Sequence, residues 1–273
     1  LSRISLVLSD VDGTLVTTEK QLSEASVLAV RRLADHGIPF TVTSSRPPFG
    51  LRMLVERLEL RLPLGAFNGG CLVEPDLSII SQQRIPAAAA ARAIEVLHSF
   101  GVGIWLFSPE HWWLSNPNGD YVERERRTIA AEPTVITDFR TYIADLCKIV
   151  GVSRDFDRLA ECEGALKAAL GESASAARSQ RYYLDITPPG VDKGTVVDAL
   201  AEDLGIPTEE IVTVGDMDND VSMFKKSGFS IAVGNASDAA RAAASVLCSN
   251  TNDSDAFAEA VDRFILPRLA ETA

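Results

Sequence analysis

Two carboxylates leave the end of an apolar run only two residues apart, in Asp10-Val11-Asp12-Gly13-Thr14. Crowding or burying such a pair is costly unless a cation or a proton compensates it. Chemistry that exploits the pair uses one carboxylate as a nucleophile, one to move a proton, and carboxylate oxygen as a metal ligand. A second acidic cluster stands far downstream, in Gly215-Asp216-Met217-Asp218-Asn219-Asp220. Hydroxyl and amide groups end two further apolar runs, at Ser44-Ser45 and at Asn68. Lys193 opens a predicted helix and is placed to bring one cation to the group.

These residues need elements that carry them to one place. Ile4 to Leu8 reads as a buried strand. Ser23 caps a helix running to about His36, with Val27, Val30, Leu33 and Ala34 as its apolar positions. A second strand over Ile38 to Thr43 and a helix from about Phe49 to Leu58 follow, then a short strand, Leu64 to Phe67, ending at the turn Asn68-Gly69-Gly70. Alternation of this kind predicts a parallel sheet covered by helices. Ligands bind such sheets beyond the carboxyl ends of the strands.

The pattern then changes. An Ala-rich helix is predicted from about Ala87 to Phe100, strands over Val102 to Phe107 and Trp112 to Ser115, and a charged helix from about Gly119 to Ala131. A strand from Cys147 to Ser153 and a helix from Asp155 to Leu170 continue the mixture. This predicts an inserted α+β domain at 84–187 within a core made of 1–83 and 188–273. After Gly190 the first pattern resumes, with a helix over Asp192 to Leu204, strands at Ile211 to Val214, Ile231 to Val233 and Val246 to Cys248, and a closing helix from Ser254 to Leu266. The fold class is α/β, a three-layer Rossmann-like core with a mainly parallel sheet plus the α+β insert.

Composition narrows the function classes. The 273 residues include 46% hydrophobic and 23% charged side chains, an ordinary balance for a globular chain with a sizeable core. The formal net charge of −12 argues against nucleic-acid or anionic-membrane partners. No apolar run approaches the roughly 20 residues of a membrane span, and the N-terminus has no apolar stretch typical of a signal peptide. Cys71, Cys147, Cys162 and Cys248 are scattered and read as buried reduced thiols of a cytoplasmic protein.

The separated motifs together resemble those of the haloacid dehalogenase superfamily. The carriers are Asp10-Val11-Asp12-Gly13-Thr14, Ser44, Lys193 and Gly215 to Asp220. The turn Asn68-Gly69-Gly70 and the stretch Gly190-Val191-Asp192-Lys193-Gly194 are similar to the Cof-like phosphatase subfamily, whose class IIB cap is inserted between the second and third motifs. The resemblance implies that Asp10 attacks phosphorus to form an aspartyl-phosphate and that Asp12 serves as acid and then base. It implies Mg²⁺ held by the Asp10 and Asp216 carboxylates and the Asp12 carbonyl. Ser44 and Lys193 would stabilise the phosphoryl oxygens, and Asp220 would hold the site through water or by contact with Lys193. Thr14 and Asn219 would support the site, with Asn219 bonding to loop backbone. Ser45, Arg46, Asn68 and Gly69 are candidate substrate contacts.

The family commonly has Thr-Gly-Arg where this chain has Ser44-Ser45-Arg46. Ser44 keeps the hydroxyl, while Ser45 replaces a residue that tolerates unusual dihedrals. Arg46 is open to two roles, binding substrate phosphate or pairing with a core carboxylate. Among the insert's aromatic residues, Trp112 and Trp113 should face opposite sides of their strand. The implied activity is hydrolysis of a small phosphorylated metabolite, especially a sugar phosphate, with the insert choosing the substrate. A sugar phosphomutase or phosphotransferase on the same core, and a non-catalytic phospho-acceptor module, are the alternatives.

Overall fold

The computed structural model describes residues 3–270. The chain opens with strand β1 (Leu6–Asp10), helix α1 (Glu24–Asp35), β2 (Phe40–Thr43), α2 (Arg52–Leu58), β3 (Leu64–Ala66) and β4 (Cys71–Val73). Then come β5 (Ile79–Gln82), α3 (Ala87–Ser99), β6 (Gly103–Phe107), β7 (Trp112–Leu114), α4 (Val122–Ile129), β8 (Thr134–Val135), β9 (Lys148–Val152), α5 (Phe156–Leu170), β10 (Ser175–Gln180) and β11 (Tyr183–Thr187). The final stretch holds α6 (Lys193–Leu204), β12 (Ile211–Gly215), α7 (Val221–Lys226), β13 (Phe229–Ala232), α8 (Asp238–Ala243) and β14 (Val246–Leu247). It closes with α9 (Ala256–Glu259), a π-helical stretch, and α10 (Leu266–Ala270). Among the described residues, no helix is long and apolar enough to cross a membrane.

The chain divides into two compact units. The core unit comprises residues 3–44, 52–78 and 192–270, and the inserted unit comprises 45–51 and 79–191. The insert therefore begins at Ile79, earlier than the composition shift at Arg84 suggests, and it claims a detached segment just after Ser44.

Within the core unit the strand order is β14-β13-β12-β1-β2-β3-β4. All neighbours run parallel except β3 and β4. Every residue of β1, β2 and β12 is buried, as expected of strands covered on both faces. On one face Leu6, Leu8 and Ile211 pack with Val197 and Leu200 of α6 and Phe224 of α7. On α1, the Ser23 hydroxyl accepts the Ser26 N–H, and Val27, Val30 and Leu33 are buried at helical spacing.

The inserted unit has a six-stranded sheet of order β10-β11-β9-β6-β7-β8, antiparallel except for β7 beside β8. One face carries Ile104, Leu106, Trp113, Ile149, Leu184 and Ile186 against Ala90, Ala93 and Leu97 of α3 and Leu159, Cys162 and Leu166 of α5. The small alanine side chains let α3 lie close to its neighbours. The two tryptophans do part company: Trp113 joins this core, while Trp112 stacks on Phe107 at 5.9 Å between ring centres.

Several boundaries differ from the sequence expectations. The helix expected from Phe49 begins as a 3-10 turn over Pro48–Leu51. The charged helix is shorter, bounded by the left-handed residues Tyr121 and Ala130. The closing helix is interrupted by the π stretch Ala260–Ile265. Strands β4 and β5, three and four residues long, have too little periodicity to be read locally.

Candidate active site

Four strand ends and one helix start supply the polar groups. Asp10 is the last residue of β1 and pairs in register with Thr43 of β2, directly before Ser44. Ser9 lies beside Val214 of β12, whose last residue Gly215 precedes Asp216. Parallel pairing in this register brings residues more than 200 positions apart in sequence to the same sheet edge. Lys193 is the first residue of α6, and the Asp192 carboxylate fixes that start by accepting the Gly194 N–H at 2.7 Å and the Thr195 N–H at 3.2 Å.

A buried charge cluster results. The Lys193 ammonium donates to Asp10 Oδ1 and to Asp220 Oδ1, each at 2.5 Å. Asp10 is 3% exposed, Lys193 1%, Asp216 4% and Asp220 0%. The second Asp220 oxygen accepts the backbone N–H groups of Asp216 at 2.7 Å and Met217 at 2.9 Å. Asp220 thus contacts Lys193 directly. The Thr14 hydroxyl donates to Asp216 Oδ1 at 3.0 Å.

The cluster holds more negative charge than its lysine can match. Burial pushes the Asp10 carboxyl up to about 6; Lys193 opposes this, and repulsion from Asp220 and Asp12 adds to it. Burial, with repulsion from Asp10 and Asp220, raises Asp216 well above the ordinary carboxylate range. For Lys193, burial favours the neutral amine, yet Asp10 and Asp220 hold its pKa above the ordinary lysine value. With all three carboxylates ionised, one ammonium would leave two negative charges unmatched.

That charge is what a divalent cation would balance. Carboxylate oxygens of Asp10, Asp216 and Asp220 lie within 4.8 Å of one another. Asp10 Oδ2 is buried with no hydrogen-bond partner, an orphaned acceptor in a site made of oxygen donors. The donor set and the orphaned oxygen fit a hard divalent metal. Both oxygens of Asp220 are engaged by Lys193 and backbone amides, whereas Asp10 keeps one oxygen without a partner.

Backbone geometry is fitted to the same cluster. Gly13 has φ +94°, and a Cβ there would sit 2.3 Å from Asp216 Oδ2. Only glycine permits both the turn and the approach. At the end of β3, Phe67 and Asn68 both adopt left-handed φ, of 51° and 56°. The expected strand thus stops one residue early, because Phe67 already belongs to the turn. The Asn68 N–H donates to the Ser44 carbonyl at 2.8 Å, and the Ser44 N–H to the Gly65 carbonyl at 2.9 Å, so the turn and the Ser44 loop hold one another. Strained backbone of this sort survives only where surroundings over-determine it. Gly69 completes the turn against the start of α6, where a Cβ would lie 2.4 Å from the Asp192 carbonyl oxygen.

The remaining candidates fall into place around this frame. Asn219 donates from its side chain to the Asn68 side-chain oxygen at 3.0 Å, rather than to loop backbone as expected, linking two strand-end loops. Asp218 accepts the Ser237 hydroxyl at 2.6 Å. Asp12 pairs with Lys20 at 2.8 Å. Ser45 stays outside the left-handed region, so this backbone position does not require glycine. Arg46 is buried and donates to the Gly50 carbonyl at 3.2 Å; both residues group with the inserted unit.

Sequence reasoning missed two members. Asn235, just beyond β13, donates to the Gly13 carbonyl at 2.8 Å and reaches Asp216 Oδ2 at 3.4 Å. Its position after a parallel strand is the signal that could have found it. Lys20 reaches Asp12 through a local turn closed by the Thr17 N–H to the Gln21 carbonyl and the Lys20 N–H to the Thr17 carbonyl.

Comparison with known proteins gives the family. Residues 7–261 match the family of haloacid dehalogenase-like hydrolases. The chain is 26% identical to the 5-amino-6-(5-phospho-D-ribitylamino)uracil phosphatase YwtE of Bacillus subtilis, covering 94% of this chain and 96% of that protein. It is 25% identical to the HMP-PP phosphatase of Cronobacter sakazakii, covering 83% of each. A solved haloacid dehalogenase-like hydrolase from Bacteroides thetaiotaomicron superposes with a TM-score of 0.86 at 28% identity, covering 96% of this chain and 99% of that one. With the motif set, the mainly parallel core and the α+β insert all in agreement, the chain belongs to the haloacid dehalogenase-like hydrolase family, among its Cof-type phosphatases.

Proposed function

We propose that this protein is a Mg²⁺-dependent phosphatase that hydrolyses small phosphomonoesters, sugar phosphates above all, through an aspartyl-phosphate on Asp10. The observation that carries the reading is the buried cluster of Asp10, Asp216, Asp220 and Lys193, with two unmatched negative charges and an orphaned Asp10 oxygen. A carboxylate attacks an anionic phosphate poorly unless charge is neutralised first. Mg²⁺, which Asp10, Asp216 and the Asp12 carbonyl would hold, would supply that neutralisation.

The chain's own residues carry the rest. An Asp10 oxygen bonds to phosphorus as the ester P–O bond breaks, and the Asp12 carboxyl gives its proton to the departing oxygen. Asp12, now a carboxylate, takes a proton from the water that attacks the phosphoryl-enzyme. The Asp10–phosphorus bond breaks, and inorganic phosphate and the free Asp10 carboxylate result. Lys193 and the Ser44 hydroxyl, with nearby backbone N–H groups, stabilise the transferring oxygens. Lys193 also keeps Asp10 oriented through its 2.5 Å bond.

The phosphoryl-handling groups all belong to the core unit, so we assign substrate choice to the inserted unit. The sugar-phosphate assignment draws on the ribityl phosphate in the name of one relative and is the finer part of the proposal. We place the enzyme in the cytoplasm, a reading supported by four buried cysteine thiols, with burial pushing those of Cys147 and Cys162 up to about 11.

The test is phosphate release from a panel of sugar phosphates, nucleotides and cofactor phosphates, with and without Mg²⁺. The wild type should release phosphate only with the cation, and Asp10→Ala should release none. Undiminished turnover by Asp10→Ala would sink the assignment. An isomeric sugar phosphate in place of inorganic phosphate would move the protein to the mutases.

A further inference from the structure

Another buried charge pair, among the described residues, lies in the inserted sheet. Lys148 opens β9 and Asp185 sits in the neighbouring strand β11, with 2.9 Å between Nζ and Oδ2. Both are more than nine-tenths buried. Their register partners are Phe107 for Lys148 and Val150 for Asp185, so the pair is set among apolar side chains. Neither Asp185 oxygen makes a hydrogen bond of good geometry. A buried ion pair with unsatisfied lone pairs is seldom better for stability than an apolar pair of similar volume. The fold alone does not account for it.

The third partner of the lysine suggests what does. Lys148 Nζ donates to the Ser45 carbonyl oxygen at 3.2 Å. Ser45 follows Ser44 directly, and the chain passes from the core unit to the inserted unit at that peptide bond. Core backbone holds Ser44 from one side, through Gly65 and Asn68. From the other side, Lys148 holds the next carbonyl. Further along, the Arg46 guanidinium closes on the Gly50 carbonyl, and Gly50 is packed so closely on Ile129 that a Cβ would lie 3.1 Å from it. The Ser45 carbonyl and the Arg46 N–H share one planar trans peptide. Fixing the oxygen therefore fixes the direction of that N–H.

We infer that Lys148, oriented by Asp185, is a positioning residue for the Ser44–Arg46 phosphoryl-binding loop. The inference rests on the phosphatase reading above for the role of Ser44. Asp185 keeps the ammonium charged and aimed, and Lys148 transmits that position to the loop by its bond to the Ser45 carbonyl.

The test replaces both charges at once, so that neither is left buried alone. Lys148→Met with Asp185→Leu should melt at or above the wild-type temperature. Its affinity for orthovanadate, a mimic of the transferring phosphoryl group, should fall about tenfold or more, with a similar fall in kcat and little change in KM. Lys148→Arg, which keeps charge and donors, should restore most of the vanadate affinity. Hydrogen exchange over residues 45–51 should quicken in the double variant and not in Lys148→Arg. A more conservative pair, Lys148→Met with Asp185→Asn, serves if leucine does not pack. A purely structural role predicts a lower melting temperature with unchanged vanadate affinity in the folded fraction. A folded double variant with wild-type vanadate affinity and wild-type exchange over 45–51 overturns the inference. A wild-type protein that neither binds vanadate nor releases phosphate overturns the phosphatase reading itself, and this inference with it.

Discussion

The two units bury charge in different ways. In the core, the charged residues stand at strand ends and at the first residue of a helix, where Asp10, Asp216, Asp220 and Lys193 meet beyond the sheet. In the inserted unit, Lys148 opens one strand and Asp185 stands within the next, among aromatic and aliphatic neighbours. The core cluster is over-charged and backed by amide donors; the inserted pair is neutral and under-bonded. Surplus charge at strand ends marks a place where a cation and an anionic group are to arrive. A neutral pair inside a sheet marks a place where something is held still.

The largest expected effect is at Asp10, the proposed nucleophile. Asp10→Asn keeps the size of the side chain and should lower turnover by about 10⁴-fold or more, read as phosphate release under saturating cation. Next comes the cation: chelation should cost about a thousandfold in rate, and Mg²⁺ should restore it. Stability should report the same surplus of charge. The Asp10 carboxyl is raised from 3.8 unfolded to about 6 folded, so its contribution is fully present below about pH 4 and is lost as pH rises through 6. Asp216 acts in the same direction. Cation-free protein should therefore lose stability from pH 4 to 7 relative to Asp10→Asn, and Mg²⁺ should flatten the difference. Thermal melts at stepped pH measure it, and identical profiles for the two proteins would remove the surplus-charge account.

Lys193→Met tests the contrast between the units most directly. It strands Asp10 and Asp220 without their ammonium and should destabilise the cation-free fold by about 3–5 kcal/mol, seen by denaturant titration. The paired replacement at Lys148 and Asp185 should cost no stability, so equal losses at the two places would erase the distinction. Gly13→Ala should cost about 2–3 kcal/mol, because φ +94° and the Asp216 carboxylate both oppose a methyl group there. The smallest effect belongs to the exposed ion pairs of α4. Arg127→Ala, which breaks an i,i+4 bond to Glu123, should shift stability by less than about 0.5 kcal/mol.

The core site was legible because its residues punctuate strands. A carboxylate after an apolar run is visible without knowing what the run pairs with, and several such endings point to one sheet edge once parallel topology is inferred. Asn235 obeys the same rule and was overlooked because a single amide after Gly234 resembles any turn. Asn219 was assigned backbone partners, whereas its mate is Asn68, 151 positions away. The left-handed Phe67 was invisible, since nothing local favours that conformation for a large side chain. Lys148 and Asp185 carried no signal at all: one lysine and one aspartate in strand-like runs look like solvent-facing alternation.

By itself, then, the sequence determined the class of chemistry, the α/β core, the presence of an insert and the residues at the strand ends, because periodicity and turn chemistry are local properties. Tertiary structure alone decided which oxygen each cation reaches, that Asp220 binds Lys193 directly, and that the segment after Ser44 belongs with the insert. Those are outcomes of register and packing, where a shift of one residue reverses which face a side chain occupies.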